Sequence, residues 1–380
     1  MKRIQLGMVG GGQGSFIGGV HRIASRIDGL FDVAAGVFSS DSGRNKASGA
    51  EIGVEPDRVY ENVEAMLAAE SLRSDAIEAV VIATPNHLHF SAAKACLEAG
   101  LHVICDKPVT SSLADSIELK QIVETSGRLF VLTHNYTGYP MVRQMRDMIL
   151  AGEIGDLRVL HAEYVQDWLT EPMETRGAKG AEWRTDPARS GAGGSIGDIG
   201  THAYNLAAFV TGAYPKELLA DLSSFVAGRT LDDNASVLLR YESGAKGMLW
   251  ASQVAVGNEN HFTLRVYGSK GGLEWEQEDP NRLWFTRYGQ PKQLLTRGGA
   301  GGTSGNSSSI RIPAGHPEGF LEAFANVYRA AAQAMTGSSD VGDGGVPSVL
   351  YPTIADGVRG LEFIEACVRS SEGGNDWVAL

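Results

Sequence analysis

Three side chains in this sequence have the types and spacing that proton and charge chemistry require. Lys107 closes the apolar run Val103-Ile104-Cys105 and is followed by Pro108. Proline has no N–H to give a ladder and pushes its predecessor to extended geometry, so a strand must end there. In an open parallel sheet, ligands lie outside the carboxyl ends of the strands, where an ammonium group can reach a small molecule. Asp198 and His202 stand four apart, and His202 and Asn205 three apart, just before the apolar run Leu206-Ala207-Ala208-Phe209-Val210. On a helix these spacings put the side chains on one face. A histidine with a pKa of about 6.5 exchanges protons at neutral pH, and a nearby carboxylate can hold it or bind a substrate hydroxyl. Taken singly, the same residues also fit a surface lysine at a strand end and a capping aspartate beside a satisfied histidine.

The elements that must position these groups begin with Ile4 to Val9, an apolar strand running into Gly10-Gly11-Gly12-Gln13-Gly14-Ser15 and then the helix-like Val20 to Ala24. A strand, a glycine turn and a helix opening let a backbone approach a pyrophosphate, whose charge then meets the helix N-terminus. The G-x-G-x-x-G pattern is met at Gly10 and Gly12, with Ser15 in the third place. No G-x-x-x-x-G-K-[ST] follows, which argues against a P-loop. Strand-like runs at 31–38, 76–83, 102–105 and 129–133 alternate with helix-like stretches at 46–52, 62–70, 91–99 and 112–126. This predicts a doubly wound parallel α/β sheet, a Rossmann domain over residues 1–134. The second strand ends at Val37-Phe38-Ser39-Ser40, with hydroxyls where NAD-specific folds carry a ribose-binding carboxylate. Arg44 could meet a 2′-phosphate, whereas Asp41 could take the ribose role if the turn is short. The balance leans to NADP.

After a helix at 141–151 the pattern changes to strands at 157–165, 217–226, 235–241, 247–254, 262–267 and 273–277, several joined by short glycine turns. The expectation is a second α/β domain over 135–380 with a large, open, mostly antiparallel sheet, a loose Gly/Ser loop at 298–309 and closing helices at 318–335 and 352–370. The chain has 380 residues, 43% hydrophobic and 21% charged, with a formal net charge of −12. That length suggests two domains, and the negative charge argues against a nucleic-acid partner. No apolar run reaches membrane-spanning length, and Met1-Lys2-Arg3 runs directly into a strand, so a cytoplasmic location is expected. Cys96, Cys105 and Cys367 are odd in number and far apart, fitting neither a disulfide framework nor a zinc site. His87 and His89 lie beside a Pro-Asn turn without further ligands, so no metal is expected.

Together these segments resemble the glucose–fructose oxidoreductase / inositol dehydrogenase / rhizopine-catabolism family, Gfo/Idh/MocA. The likeness covers nearly the whole chain. It is carried by the glycine turn, by Thr84-Pro85-Asn86 with His89, by Asp106-Lys107-Pro108 in place of an E-K-P motif, by Trp183-Arg184-Thr185-Asp186-Pro187, and by Gly197-Asp198 to His202. The resemblance implies a nicotinamide-dependent oxidoreductase of sugars, polyols or keto-sugars, with NAD(P) as cofactor. By position, Lys107, Asp198 and His202 are the catalytic set. The cofactor is expected at Gly10, Gly12, Gln13, Gly14, Ser39, Ser40, Arg44, Thr84, Pro85, Asn86, His89, Asp106 and Lys107, and the substrate at Lys107, Asn135, Arg184, Asp198 and His202. Arg143, Trp168, Tyr136 and His316 are further candidates for the pocket lining. An uncovered sheet face makes a homodimer or homotetramer the expected assembly. Alternatives of the same fold are an NAD-dependent glycosidase and a non-catalytic nucleotide or sugar sensor.

Overall fold

The computed structural model describes residues 2–337 and 350–380. The chain divides into two compact units, one of 1–135 with 320–358 and one of 136–319 with 359–380. A single cut between 134 and 135 therefore does not describe the molecule: the first unit takes back a later stretch of chain.

The first unit is built on five parallel strands in the order β2-β1-β3-β4-β5: β1 (Ile4–Gly10), β2 (Phe31–Val37), β3 (Ala79–Ala83), β4 (His102–Cys105) and β5 (Phe130–Leu132). The connecting helices are α1 (Phe16–Ile27), α2 (Ser42–Ile52), α3 (Val63–Glu70), α4 (His89–Glu98) and α5 (Leu113–Ser126). All five residues of β3 are buried, which is why it reads as an unbroken apolar run: both faces of a central parallel strand are covered. The returning helix Phe320–Met335 packs on α1 and shares its core, with Phe324 and Tyr328 against His21, and Tyr328 against Phe31. The segment beyond it lies along β5, where Leu132 N–H donates to the Pro352 carbonyl at 2.8 Å.

In the second unit α6 (Pro140–Leu150) precedes β6 (Leu157–Val165), and the short α7 (Lys179–Arg184) and α8 (Pro187–Ser190) lead to α9 (Thr201–Thr211). Its sheet has nine strands, ordered β13-β12-β11-β10-β6-β9-β8-β7-β14. The added strands are β7 (Pro215–Ser223), β8 (Asn234–Tyr241), β9 (Lys246–Ser252), β10 (His261–Gly268), β11 (Gly271–Glu276), β12 (Arg282–Arg287), β13 (Gln293–Thr296) and β14 (Val378–Ala379). Neighbouring strands pair antiparallel except at the centre, where β6 and β9 pair in parallel. β12, β13 and β14 lengthen the sheet beyond the six strands that alternation picks out. The Gly/Ser stretch is tied down rather than loose. It carries α10 (Ser304–Ser307), Gly305 N–H donates to Asp147 at 2.8 Å, and Asn306 donates to Gln144 at 2.7 Å. Helix α9 is buried along nine of its eleven residues, while Leu238, Met248, Trp250 and Trp284 of the sheet stand exposed at alternate strand positions.

Candidate active site

The glycine turn after β1 is shaped by close approach. Gly10, Gly11 and Gly14 all have φ between 69° and 80°, a left-handed conformation that L side chains avoid. A Cβ on Gly12 would sit 2.7 Å from the Phe38 carbonyl oxygen, and one on Gly18 would sit 2.2 Å from that of Gly11. The serine in the third fingerprint place serves the helix instead. Ser15 caps α1, its Oγ accepting from Gly18 N–H at 3.1 Å. Close helix–turn packing, the usual duty of the third glycine, falls to Gly18. Gln13 is exposed and donates through Nε2 to Glu51 at 2.9 Å, and its N–H donates to Ser48 Oγ at 3.0 Å. The Arg22 guanidinium donates to the Gly11 carbonyl, which holds the turn to the second helical turn of α1.

At the end of β2, Ser39 is half-buried and Ser40 and Arg44 are exposed. Asp41 caps α2, its Oδ1 accepting from Arg44 N–H at 2.7 Å, and Ser39 Oγ accepts from Asp41 N–H at 3.1 Å. Beyond the ends of β3 and β5 two polar atoms are buried with no hydrogen-bond partner among the described residues, Thr84 Oγ1 and Asn135 Nδ2. A glycine cradle beside unspent polar groups at strand carboxyl ends fits a dinucleotide, so these residues can hold one.

Lys107 follows β4 and is half-buried, and its peptide bond to Pro108 is cis. Asp106 Oδ1 accepts from the Lys107 N–H at 3.1 Å and from Thr133 Oγ1 at 2.9 Å. His89 is fully buried at the start of α4. Its Nδ1 lies 2.8 Å from the Pro108 carbonyl oxygen and its Nε2 lies 2.8 Å from that of Thr84. Burial pushes the His89 pKa down, against the pull of the Asp106 charge and of the two carbonyls. Its side chain is thus spent on the backbone, which departs from the direct cofactor contact expected for it. Pro85 is half-buried, Asn86 buried and His87 exposed. His134, which no motif singles out, is also buried, and burial together with the Lys107 charge pushes its pKa down to about 3.

In the second unit, Asp198 lies in a single π turn, Ile196–Gly200, that leads directly into α9. Its Oδ2 accepts from Arg184 Nε at 3.2 Å and from Gln253 Nε2 at 2.9 Å. Arg184 in turn stacks over Trp183 at 4.2 Å and lies 5.9 Å from the Trp168 ring centre. His202 is buried one turn on, edge-to-face with Tyr136 at 4.9 Å between ring centres. Tyr136 and Tyr164 share a 2.6 Å hydroxyl contact, and Tyr164 donates to Asn260 at 2.9 Å. Because Tyr164 has one hydrogen and gives it to Asn260, Tyr136 must be the donor to Tyr164. Asn205 is buried with Oδ1 unpartnered among the described residues.

The turn carrying Asp198 is anchored by a residue no motif marks. Asp232, buried before β8, accepts from Gly194 N–H at 2.6 Å, Ser195 Oγ at 2.6 Å and Ile196 N–H at 2.8 Å. Burial pushes its pKa up while these donors pull it down. Gln253 and Asp232 lie 55 and 37 positions from their partners, so no local spacing could have revealed them. Of the further candidates, Arg143 is buried on Thr137 and Ser309, and His316 is exposed.

Comparisons with known proteins bear on the family and the fold. Residues 4–145 match the model of the oxidoreductase family with an NAD-binding Rossmann fold, and residues 142–274 match that of the GFO/IDH/MocA C-terminal domain. The uncharacterized oxidoreductase YfiI of Bacillus subtilis (strain 168) is 39% identical over 380 residues, covering 99% of this chain and 97% of the relative. An oxidoreductase from Sinorhizobium meliloti is 54% identical, with full coverage of both chains and a TM-score of 0.89. An inositol dehydrogenase homolog from Azotobacter vinelandii, solved with NADH and myo-inositol, is 38% identical, covering 100% of this chain and 98% of the other at a TM-score of 0.92.

Proposed function

The chain belongs to the Gfo/Idh/MocA family of oxidoreductases, and within it we propose a dehydrogenase or reductase that interconverts a secondary hydroxyl and a ketone on a polyol or sugar. The observation that carries this reading is the treatment of Asp198. A carboxylate receiving both Arg184 and Gln253 on one oxygen is held as an oriented acceptor, one turn before a buried histidine. Such an acceptor suits a substrate hydroxyl, and the A. vinelandii relative solved with myo-inositol supports a polyhydroxylated ring as the substrate class.

The nicotinamide supplies the hydride chemistry when bound. This chain's residues then position the carbon and manage one proton. His202 takes the hydroxyl proton during oxidation and returns it during reduction, Lys107 stabilises the developing alkoxide, and Asp198 orients a neighbouring hydroxyl. The finer cofactor reading is a preference for NADP. It is supported by the exposed Arg44 guanidinium and by the use of Asp41 Oδ1 as a helix cap, which draws that carboxylate away from a ribose. The relatives solved with NAD+ or NADH weigh on the other side. We also read the exposed apolar face of the nine-stranded sheet as the surface on which copies of the chain pair.

The test is turnover of a polyol and sugar panel, followed through NAD(P)H absorbance. Lys107→Ala and His202→Ala should each lower kcat by about a hundredfold, with nucleotide affinity unchanged in His202→Ala. Wild-type kcat in either variant removes that residue from the reaction.

A further inference from the structure

The lysine loop after β4 is held by more than its own strand. Asp106 N–H donates to the Ile82 carbonyl at 3.0 Å on β3, and Thr133 N–H donates to the Cys105 carbonyl at 3.0 Å from the β5 side. The Asp106 carboxylate folds back onto Lys107 N–H, and Thr133 Oγ1 fixes that carboxylate. On the far side of Lys107, His89 supplies a further connection. Its ring lies between Thr84, the first residue beyond β3, and Pro108, the residue next to Lys107, with one nitrogen 2.8 Å from each carbonyl oxygen. A neutral imidazole carries a single N–H and can donate to only one of the two carbonyls, so its tautomer selects which loop it binds at a given moment. Either way, no exposed atom is left for a ligand.

We propose that His89 is a positioning residue for Lys107, acting through the Thr84 and Pro108 carbonyls and not by touching cofactor or substrate. The proposal rests on the reading of Lys107 as a reacting group. It goes beyond that reading by assigning a control on where the ammonium stands. A rigid strand end on one side and an imidazole staple on the other leave the lysine main chain little freedom. Displacing a reacting group by about 1 Å costs on the order of a hundredfold in rate, so a loosened staple should register in turnover before it registers in binding.

The experiment compares wild type, His89→Ala and His89→Gln, each first checked by its thermal midpoint. In His89→Ala, kcat with the best substrate should fall roughly 10- to 100-fold while the dissociation constant for NAD(P)H, read by fluorescence, stays within about threefold. His89→Gln, which keeps an N–H donor, should recover part of the loss. A second readout needs no turnover: the rate and pH dependence of Lys107 labelling by an amine-directed aldehyde, mapped by mass spectrometry. His89→Ala should shift the labelling profile of Lys107 and leave that of Lys292, in the second unit, unchanged. Wild-type kcat and wild-type labelling in a folded His89→Ala or His89→Gln would overturn the proposal. So would a loss of nucleotide affinity with kcat intact, which would make His89 a cofactor contact. If no polyol or sugar is turned over by the wild type, the function reading fails, while the labelling arm still decides the positioning role. If His89→Ala does not fold, His89→Gln carries both readouts.

Discussion

Acid should loosen the first unit well before its carboxylates titrate. His21, His89 and His134 are all buried there, and burial pushes each pKa down, to about 3 for His134. The His21 ring hydrogen-bonds to the Tyr328 hydroxyl at 2.8 Å, and its Nε2 has no partner among the described residues. Lowered folded-state values mean that below about pH 6.5 the unfolded chain binds more protons than the folded one. Stability is therefore complete above that value and is lost as pH falls toward the folded pKa. For a histidine that stays neutral in the fold, the loss between pH 7.5 and 5.5 integrates to about 1.4 kcal/mol. His134 supplies that much, and His21 and His89, whose pKa values burial also lowers, add to the loss in the same direction. For a unit of this size the His134 share alone lowers the melting midpoint by about 3 to 6 °C, and the other two histidines push it the same way. Asp232, in the other unit, works in the opposite direction, because its raised pKa makes acid stabilising there. Calorimetric scans at pH 7.5, 6.5 and 5.5 read the effect. His134→Asn should flatten the dependence by one proton whatever it does to the midpoint at pH 7.5. A midpoint that is flat or rises on acidification, or a His134→Asn slope equal to wild type, would refute the reasoning.

Three further outcomes are expected. Asp232→Ala strands the Gly194 and Ile196 N–H groups and the Ser195 hydroxyl, so it should cost about 3 kcal/mol or more in a urea titration and lower kcat by loosening the turn that carries Asp198; equal stability and kcat would discard the anchor. Met248→Glu with Trp250→Lys should convert an oligomer to monomer in light scattering at micromolar concentration, and a wild type already monomeric there sinks the pairing face. For the cofactor, kcat/KM with NADP should exceed that with NAD and fall at least tenfold in Arg44→Ala; a strong NAD preference untouched by the substitution assigns the choice to Asp41.

The parallel sheet was legible because burial on both faces writes unbroken apolar runs such as Ala79–Ala83, and because glycines punctuate the turns between them. The larger sheet was legible only in part. β13 is an exposed edge strand with little alternation to read, and β12 sets Trp284 and Phe285 side by side between two arginines. The β6–β9 pairing joins strands separated by α9 and two further strands, which no hairpin rule reaches. At the site, Lys107, Asp198 and His202 stood out through their local motifs. What holds them did not: Gln253 and Asp232 arrive from strand ends far along the chain, and the service of His89 to the lysine loop depends on two carbonyls whose positions only the fold sets.

The return of the helix Phe320–Met335 to the first unit bears on how the protein is made. When residue 135 leaves the ribosome, all five strands of the parallel sheet exist, yet Val20, His21 and Phe31 still lack the helix that covers them. At about 5–20 residues per second, the intervening chain takes on the order of ten to forty seconds to emerge. During that interval the nascent first unit displays an apolar strip along α1 that its own sequence will later conceal. Synthesis order thus leaves the nucleotide fold open to chaperones until the second unit is nearly complete, and a chain truncated before residue 320 would keep that strip exposed for good.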